Sequence, residues 1–508
     1  MGTAVRDLMS TPPVTCPAGA ALSEAARLMH HHDIGSVVVT DGAKVAGIVT
    51  ERDLLRSAAA HADPLVETVR LWMTANPDVL GPDEEAGAAW ASLTHHHYRH
   101  LPVVEAGELV GVVSLRDLLT VAQIRPAAEA GVDVPKGLEG VVVAETTVGD
   151  VRGREGFYHY RQYSAVELAA ARPLEDVWQL LFDGALPDAA AASAFAATVA
   201  PLRRLPEGLA GVLPSLVPEG STVAPLDVLR TGVSLLGAEL GWRPTHDIGA
   251  AELRAQALHL CAVVPTLLTA THRLRHGLAP VGPRDDLSSA ANYLWMLLGE
   301  EAPEEHVRAV EQYLILTIDH GFNASTFAAR VITSTGADLA AAVTGAIGAL
   351  SGPLHGGAPS RALAMLDEIG TPDRAGPWLR EAVARGDRVM GFGHRVYKTD
   401  DPRSVFLRQV ARSLGGPLVA MAEEVERTTV DVLAELKPGR DLYTNVEFFA
   451  GVVMHTCGIP RDMFTPTFAA SRTIGWATHV MEQAADNRLI RPAARYVGPP
   501  PPQPVPPR

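Results

Sequence analysis

The first 124 residues repeat themselves at a period near 64, which constrains the fold of this part before any composition is considered. Val5-Arg-Asp-Leu-Met9 recurs as Val69-Arg-Leu-Trp-Met73, and Ser36-Val-Val-Val39 as Leu101-Pro-Val-Val104. Gly47-Ile-Val-Thr50-Glu-Arg-Asp53 recurs as Gly111-Val-Val-Ser114-Leu-Arg-Asp117. Each unit reads as a helix (Ala20 to Met29; Glu84 to Leu93) and then two short β-rich runs. The runs turn at Asp41-Gly42 and Ala106-Gly107, and a second helix is expected to open at Asp53 or Asp117. One α-β-β-α unit cannot cover both faces of its sheet, but two copies can cover each other. The triplets His30–His32 and His95–His97 stand where a helix ends, and a C-terminal turn favours partial positive charge. Adjacent helical residues point in different directions, so three in a row are poor ligands for one metal ion.

Residues 125–136, rich in alanine and proline, read as a linker. From 137 to 498 the pattern changes to Ala- and Leu-rich helical periods broken at Leu186-Pro187, Leu236-Gly237, Gly352-Pro353 and Gly458-Ile-Pro460. Valine alternation is scarce there, so this body is expected to be mainly α. Residues 499–508 are mostly proline and read as an extended, disordered tail. A chain of 508 residues in any case exceeds one simple core. The fold class is therefore multidomain, an N-terminal α/β repeat pair followed by a mainly α body.

A formal net charge of −15 speaks against a nucleic-acid partner, which needs a basic footprint. It leaves room for an anionic ligand held by local arginines. Cys16, Cys261 and Cys457 lie far apart without C-x-x-C spacing and read as reduced, buried thiols. No signal-peptide pattern opens the sequence, and no stretch approaches 18 uninterrupted apolar residues. The chain is expected to be cytoplasmic and soluble, with no membrane partner.

Chemistry concentrates in three distant segments, Ser351-Gly-Pro-Leu-His355-Gly-Gly, Gly391-Phe-Gly-His394-Arg-Val-Tyr-Lys398 and Asn445-Val-Glu447-Phe. Two imidazoles and a carboxylate suit carbon–carbon bond formation at a carbonyl: one group removes a C–H proton and two others hydrogen-bond the developing oxyanions. A helix beginning near Pro359 would put His355 just before its N-terminus, keeping the imidazole neutral. Asp401-Pro402-Arg403 starts another helix, which makes Arg403 either an anion site or half of a surface salt bridge with Asp400 or Asp401. Asn445 is the expected N-cap of a helix from Val446 to about Cys457, with Glu447 in its first turn. There Glu447 is either a base held ionised by the helix dipole or ordinary helix stabilisation.

Residues 4–124 resemble the tandem CBS-domain pair, a module whose cleft commonly holds an adenine nucleotide or related adenosyl compound. The resemblance implies that Thr50 with Asp53, and Ser114 with Asp117, contact a ribose; the same spacing also fits helix capping. Residues 137–498 resemble the citrate synthase family. The matching motifs are Gly352-Pro-Leu-His-Gly-Gly357, Gly391-Phe-Gly-His-Arg-Val-Tyr-Lys398, Asp401-Pro-Arg403, Asn445-Val-Glu-Phe448 and Phe468-Ala-Ala-Ser-Arg472-Thr-Ile-Gly-Trp476. Further matches are Asp319-His320-Gly-Phe-Asn-Ala-Ser-Thr326 and Arg491-Pro-Ala-Ala-Arg-Tyr-Val-Gly498.

That resemblance implies a homodimer whose large domain and small domain (about 357–460) close over the substrates. Glu447 would deprotonate an acyl-CoA, His355 stabilise the thioester enol and His394 donate to the ketone of oxaloacetate. His320, Arg403 and Arg472 would hold oxaloacetate, joined by Arg491 of a second subunit, and Lys398 would meet a CoA phosphate. No resident cofactor or metal is implied. CoA enters as the thioester substrate, with an adenine nucleotide as possible effector. The expected product is citrate from acetyl-CoA. The alternatives are 2-methylcitrate from propionyl-CoA, or a non-catalytic sensor linked to the CBS pair. The chain departs from the family pattern with Glu447 where Asp is commoner, Gly321 where Glu is common, and Ala358-Pro-Ser360 where Ala-Asn-Glu or Ala-Asn-Gln is frequent.

Overall fold

Short valine-rich runs fold the N-terminal part into strands, and Ala/Leu periods fold the rest into helices. The computed structural model describes residues 3–42, 44–95, 98–114, 117–118, 134–138, 140–355, 358–387, 389–393, 396–437 and 442–499. It divides into two compact units, one built on Met1–Val141 and joined by the chain's end from Pro492, the other Val142–Arg491. Most of the expected linker and of the proline tail lies outside the described residues.

In the first unit, repeat one comprises β1 (Thr15–Pro17), α1 (Leu22–His32), β2 (Ser36–Asp41), β3 (Lys44–Thr50) and α2 (Glu51–Ala59). It borrows β4 (Thr74–Ala75), giving a sheet in the order β1-β2-β3-β4. Repeat two has α3 (Ala86–His95), β5 (His100–Glu105) and β6 (Glu108–Ser114). The hairpin between β5 and β6 turns through Ala106 and Gly107, both at positive φ (52° and 88°), the pairing that a two-residue turn requires. His30–His32 do form the last turn of α1.

The leading segments of the repeats are exchanged. Val5 is buried with Leu101, Val103 and Val113 of repeat two, whereas Val69 is buried with Val37, Val39 and Val49 of repeat one. The glycines that open the two third-motif copies explain themselves here. A Cβ on Gly47 would lie 2.5 Å from Met73 Sδ, and one on Gly111 would lie 2.6 Å from Met9 Sδ. One correction concerns α2, which opens at Glu51 after Thr50, so Asp53 is its third residue and not its first.

The second unit is mainly helical around one continuous core that includes Trp178, Phe448, Phe464 and Trp476. Seven helices form its cleft and the frame behind it: α4 (Ala250–Arg275), α5 (Glu304–Thr317), α6 (Ala324–Ser334), α7 (Ala358–Ile369), α8 (Pro402–Leu414), α9 (Val446–Thr456) and α10 (Phe464–Ala485). Helix α4 is long and apolar enough to cross a bilayer, but most of its apolar stretch is buried within this unit, as a core helix would be. The three cysteines are unpaired and buried, and burial pushes the Cys16 thiol up to about 11 and the Cys457 thiol up to about 12.

A three-stranded meander, β7 (Gly149–Arg152), β8 (Phe157–Tyr160) and β9 (Tyr163–Ser164), was not legible from the helical periods. It has a definite task. Tyr158 and Tyr160 donate to the carbonyls of Leu316 (3.1 Å) and Ile315 (2.8 Å) at the end of α5, anchoring the loop that follows. At its other end Gly153 accepts from the Lys398 N–H at 3.0 Å, and a Cβ on Gly153 would lie 2.2 Å from the Val396 carbonyl oxygen.

Candidate active site

A cleft of about 670 Å³ opens in the second unit, and the predicted residues His320, His355, Arg403, Glu447 and Arg472 all line it. His394 lies outside the described residues, but its neighbour Gly393 also lines the cleft. The exposed Lys398 and Arg491 are not among the lining residues. Arg361, which the motifs did not single out, is exposed in the first turns of α7 and does line it.

Gly391-Phe-Gly393 and Tyr443-Thr-Asn445 run side by side and bring the second and third motifs together. Phe392 pairs with Thr444, the Gly393 N–H donates to Tyr443 O (2.7 Å), and the Asn445 N–H donates to Gly391 O (2.9 Å). Asn445 also sends its side-chain amide to Gly393 O (3.0 Å), while its Oδ1 accepts from the Glu447 N–H (3.1 Å). Asn445 therefore caps α9, as its sequence position suggested, and simultaneously latches the loop before His394. Gly391 and Gly393 sit at φ of 83° and 81°, and a Cβ on Gly391 would press on Phe448 at 2.9 Å. Glu447 is half-buried in the first turn of α9 and faces the cleft.

His355 lies in the turn before α7, its N–H donating to Gly352 O at 3.0 Å. Its Nε2 is 2.8 Å from Ser325 Oγ and 3.3 Å from the Ser325 N–H. A backbone N–H can only donate, so Nε2 acts as an acceptor and the ring proton belongs on Nδ1. Trp476 Nε1 donates to Ser325 Oγ at 3.1 Å; Asn323 Oδ1 lies 2.8 Å from that oxygen and shares the Ser325 N–H with Nε2, at 3.2 Å. Burial, followed by the positive charge of Arg472, lowers the His355 pKa to about 4. The ring is neutral, as anticipated, but burial rather than the helix N-terminus is the main cause.

The arginines are buried. Arg472 is 2% exposed, donates from Nε to Thr317 O at 2.9 Å, and has its guanidinium 4.6 Å from the centre of the Phe468 ring. Arg403 is neither a bare anion site nor half of a surface pair: it forms a fork with Asp401, at 3.0 Å and 2.8 Å, and both residues are almost wholly buried. Asp401 is also the N-cap of α8 and accepts from the Val446 N–H of α9 at 3.1 Å. Beside them His320 Nε2 is 2.9 Å from the Tyr397 hydroxyl, and the rings of Tyr158 and Tyr397 flank the Arg403 guanidinium at 5.9 and 5.8 Å. Gly321 follows His320 at φ 64°, with its N–H donating to Asp319 Oδ2 at 3.0 Å. A Cβ there would approach Val151 at 3.2 Å, a local reason for glycine at this departure from the family pattern.

In the first unit Asp53 Oδ2 accepts from both the N–H (2.9 Å) and the hydroxyl (2.8 Å) of Thr50, while Arg56 holds Oδ1 at 3.0 Å. Asp117 Oδ2 takes the same two bonds from Ser114, at 2.8 and 2.7 Å. The pairs named for ribose contact thus also perform the capping that their spacing allowed.

A half-buried carboxylate, a neutral imidazole with a fixed tautomer and two buried guanidiniums suit one class of enzyme. That class draws a proton from a carbon acid and joins it to a carboxylated ketone. Residues 137–493 match the model of the citrate synthase C-terminal domain, and residues 5–60 and 66–123 match that of the CBS domain. The chain is similar to a 2-methylcitrate synthase of Mycobacterium tuberculosis, 40% identical over 75% of this chain and 94% of the relative. It is equally similar to a citrate synthase of Haloferax volcanii, 40% identical over 72% of this chain and 96% of the other. Among solved structures, citrate synthase from Thermotoga maritima superposes with a TM-score of 0.65 at 36% identity, covering 74% of this chain and 98% of that one. The ternary complex of Thermoplasma acidophilum citrate synthase with carboxymethyl coenzyme A and oxaloacetate gives 0.68 at 30% identity, covering 74% and 98%. The chain belongs to the citrate synthase family, with a tandem CBS pair ahead of the synthase body. It is an enzyme that condenses an acyl-CoA with oxaloacetate.

Proposed function

We propose that the acyl donor is acetyl-CoA, that the products are citrate and free CoA, and that Glu447 is the base. The carboxylate of Glu447 takes a methyl proton of the thioester, and Nδ1–H of His355 donates to the enol oxygen that forms. The enol carbon attacks the ketone of oxaloacetate while His394 donates to the ketone oxygen. Water then cleaves the citryl thioester, the thiolate leaving as CoA. His320, Arg403 and Arg472 hold the oxaloacetate carboxylates. Arg491 reaches the site from a second copy in a homodimer, and the segment of about 357–460 moves as the small domain.

The observation that carries this reading is the double contact from Ser325 to His355 Nε2, which aims a neutral donor into a cleft shared with Glu447. A neutral imidazole donates without itself becoming an acid strong enough to quench the base. For the CoA phosphates, Arg361 lines the cleft and Lys398 does not, so we assign that contact to Arg361 first. The test is release of free thiol with oxaloacetate, comparing acetyl-CoA with propionyl-CoA. A higher kcat/KM for propionyl-CoA would transfer the assignment to 2-methylcitrate, a reading supported by the mycobacterial relative of that name. One methylene changes the discrimination by only about 1–3 kcal/mol, so the comparison must be quantitative. Glu447→Gln is expected to lose roughly 10²–10⁴-fold in kcat. Unchanged turnover would leave the sensor reading in its place.

We further propose a cytoplasmic enzyme whose CBS pair takes an adenosyl ligand at Thr50/Asp53 or Ser114/Asp117 and thereby shifts activity. Asp53 and Asp117 already accept two bonds each from their capping partners, so ribose hydroxyls would add to that arrangement. Calorimetric titration of AMP and ATP into the full chain tests this. No heat with either ligand would leave the module as a dimerisation element.

A further inference from the structure

Away from the cleft, the end of α4 and the turn before α10 converge on three groups. His272, His276 and Asp462 have donor atoms all within 4.8 Å of one another, the one such cluster of metal-ligating side chains among the described residues. His272 and His276 are four residues apart and therefore share one face of the chain as α4 ends, their ring centres 4.3 Å apart. His272 is 7% exposed, and its Nδ1 has no hydrogen-bond partner; its nearest anion is Asp462 Oδ2, at 3.6 Å. A buried imidazole nitrogen left in that state is costly, and a cation between it and the carboxylate would relieve the cost. His276 is already oriented, because its Nδ1 lies 2.9 Å from the His272 carbonyl and so carries the proton, leaving the lone pair on Nε2. This is how ligating histidines are commonly fixed, one ring nitrogen on a carbonyl and the other on the ion.

We propose that His272, His276 and Asp462 form a binding site for a borderline divalent cation, with zinc as the representative ion. Two imidazoles and one carboxylate are a donor set that suits zinc, with water filling the fourth position. The α4 C-terminus adds favourable partial negative charge. Arg275 donates to Asp462 Oδ2 at 2.6 Å and opposes the cation electrostatically, so the site is one of moderate affinity. Its occupation ties α4 to the corner between α9, which carries Glu447, and α10, which carries Arg472.

The experiment uses the full chain stripped with a chelator, equilibrium dialysis against zinc alone, and the variants His276→Ala and His276→Gln. Because His276 is exposed, both variants are expected to fold and to melt like the parent without zinc. Zinc held elsewhere on the chain is common to parent and variants, so the readout is the difference between them. The parent is expected to hold one more zinc per chain than either variant. Its affinity at that site should exceed theirs by more than the roughly 10–100-fold that loss of an outer-shell partner costs. Zinc should raise the melting temperature of the parent and leave that of His276→Ala unmoved. Equal zinc content and equal melting in parent and both variants would overturn the site, whether all bind or none does.

Discussion

The Ser325 N–H and hydroxyl converge on a single atom of His355, Nε2, from 3.3 and 2.8 Å. Ser325 is wholly buried in the first turn of α6, where Asn323 caps the helix and Trp476 holds the hydroxyl from the other side. Ser325 therefore positions His355 without touching substrate. Ser325→Ala removes the hydroxyl while the backbone donor stays. Its kcat is expected to fall, but short of the roughly 10²–10³-fold that loss of a direct oxyanion donor costs. KM for oxaloacetate should hold, because the arginines are untouched. A rise in that KM with kcat unchanged would refute the positioning role.

Asp401 joins two helices through one carboxylate. It receives the Arg403 fork and backbone N–H together with the Val446 N–H, all in a buried setting. Asp401→Asn keeps the shape and removes the charge that faces the nearly buried Arg403 guanidinium. Breaking a buried pair in this way costs about 3–5 kcal/mol. Denaturant melts should show that loss, and oxaloacetate affinity should fall with it as Arg403 shifts. A variant as stable as the parent would mean that water reaches the pair.

Much of this site was legible because capping residues and glycines announce themselves locally. Asn445 before Val446-Glu447 and Pro402 after Asp401 fixed two helix starts, and α9 ends within a residue of the sequence expectation. The CBS repeat was visible as period, but not the exchange of Val5 and Val69 between repeats. Exchange leaves each unit's local pattern unchanged and alters only which copy it packs against. The β7–β9 meander was missed because its Tyr158 and Tyr160 face the core while the short strands between turns offer too few residues for a period. Ser325 lay inside a motif that was seen, yet nothing in Asn-Ala-Ser-Thr says which distant ring its hydroxyl meets. Arg361 carried no signal beyond its charge.

Gly475 lies one turn beyond Arg472 on α10, and a Cβ there would come within 2.1 Å of the Ile318 carbonyl oxygen. In an open helix, Gly→Ala stabilises by roughly 0.8–1.0 kcal/mol. Here the contact is with backbone, which cannot rotate away, and Ile318 and Asp319 lead directly into His320. Gly475→Ala is therefore expected to destabilise by about 1–3 kcal/mol and to raise KM for oxaloacetate. Both are read from a melt and from steady-state kinetics, and an increase in stability would show that α10 has room to shift.

The lowered pKa of His355 makes a directional statement about stability. An unfolded histidine titrates near 6.5, whereas burial and Arg472 hold this one at about 4 in the native chain. Between those values the unfolded state takes up a proton that the native state refuses, so protonation pulls the equilibrium toward unfolding. This residue's contribution therefore makes stability fall as pH drops from about 6.5 to about 4, is flat above that window, and is flat again below it. His355→Gln should remove that part of the slope, so that urea melts at pH 7, 6 and 5 converge for the variant more than for the parent. The same argument keeps the donor neutral throughout the range in which Glu447 must be ionised to act as a base. An NMR titration placing the His355 midpoint near 6.5 would remove both consequences together, because a ring that charges so readily is neither desolvated nor held beside Arg472 as the geometry requires.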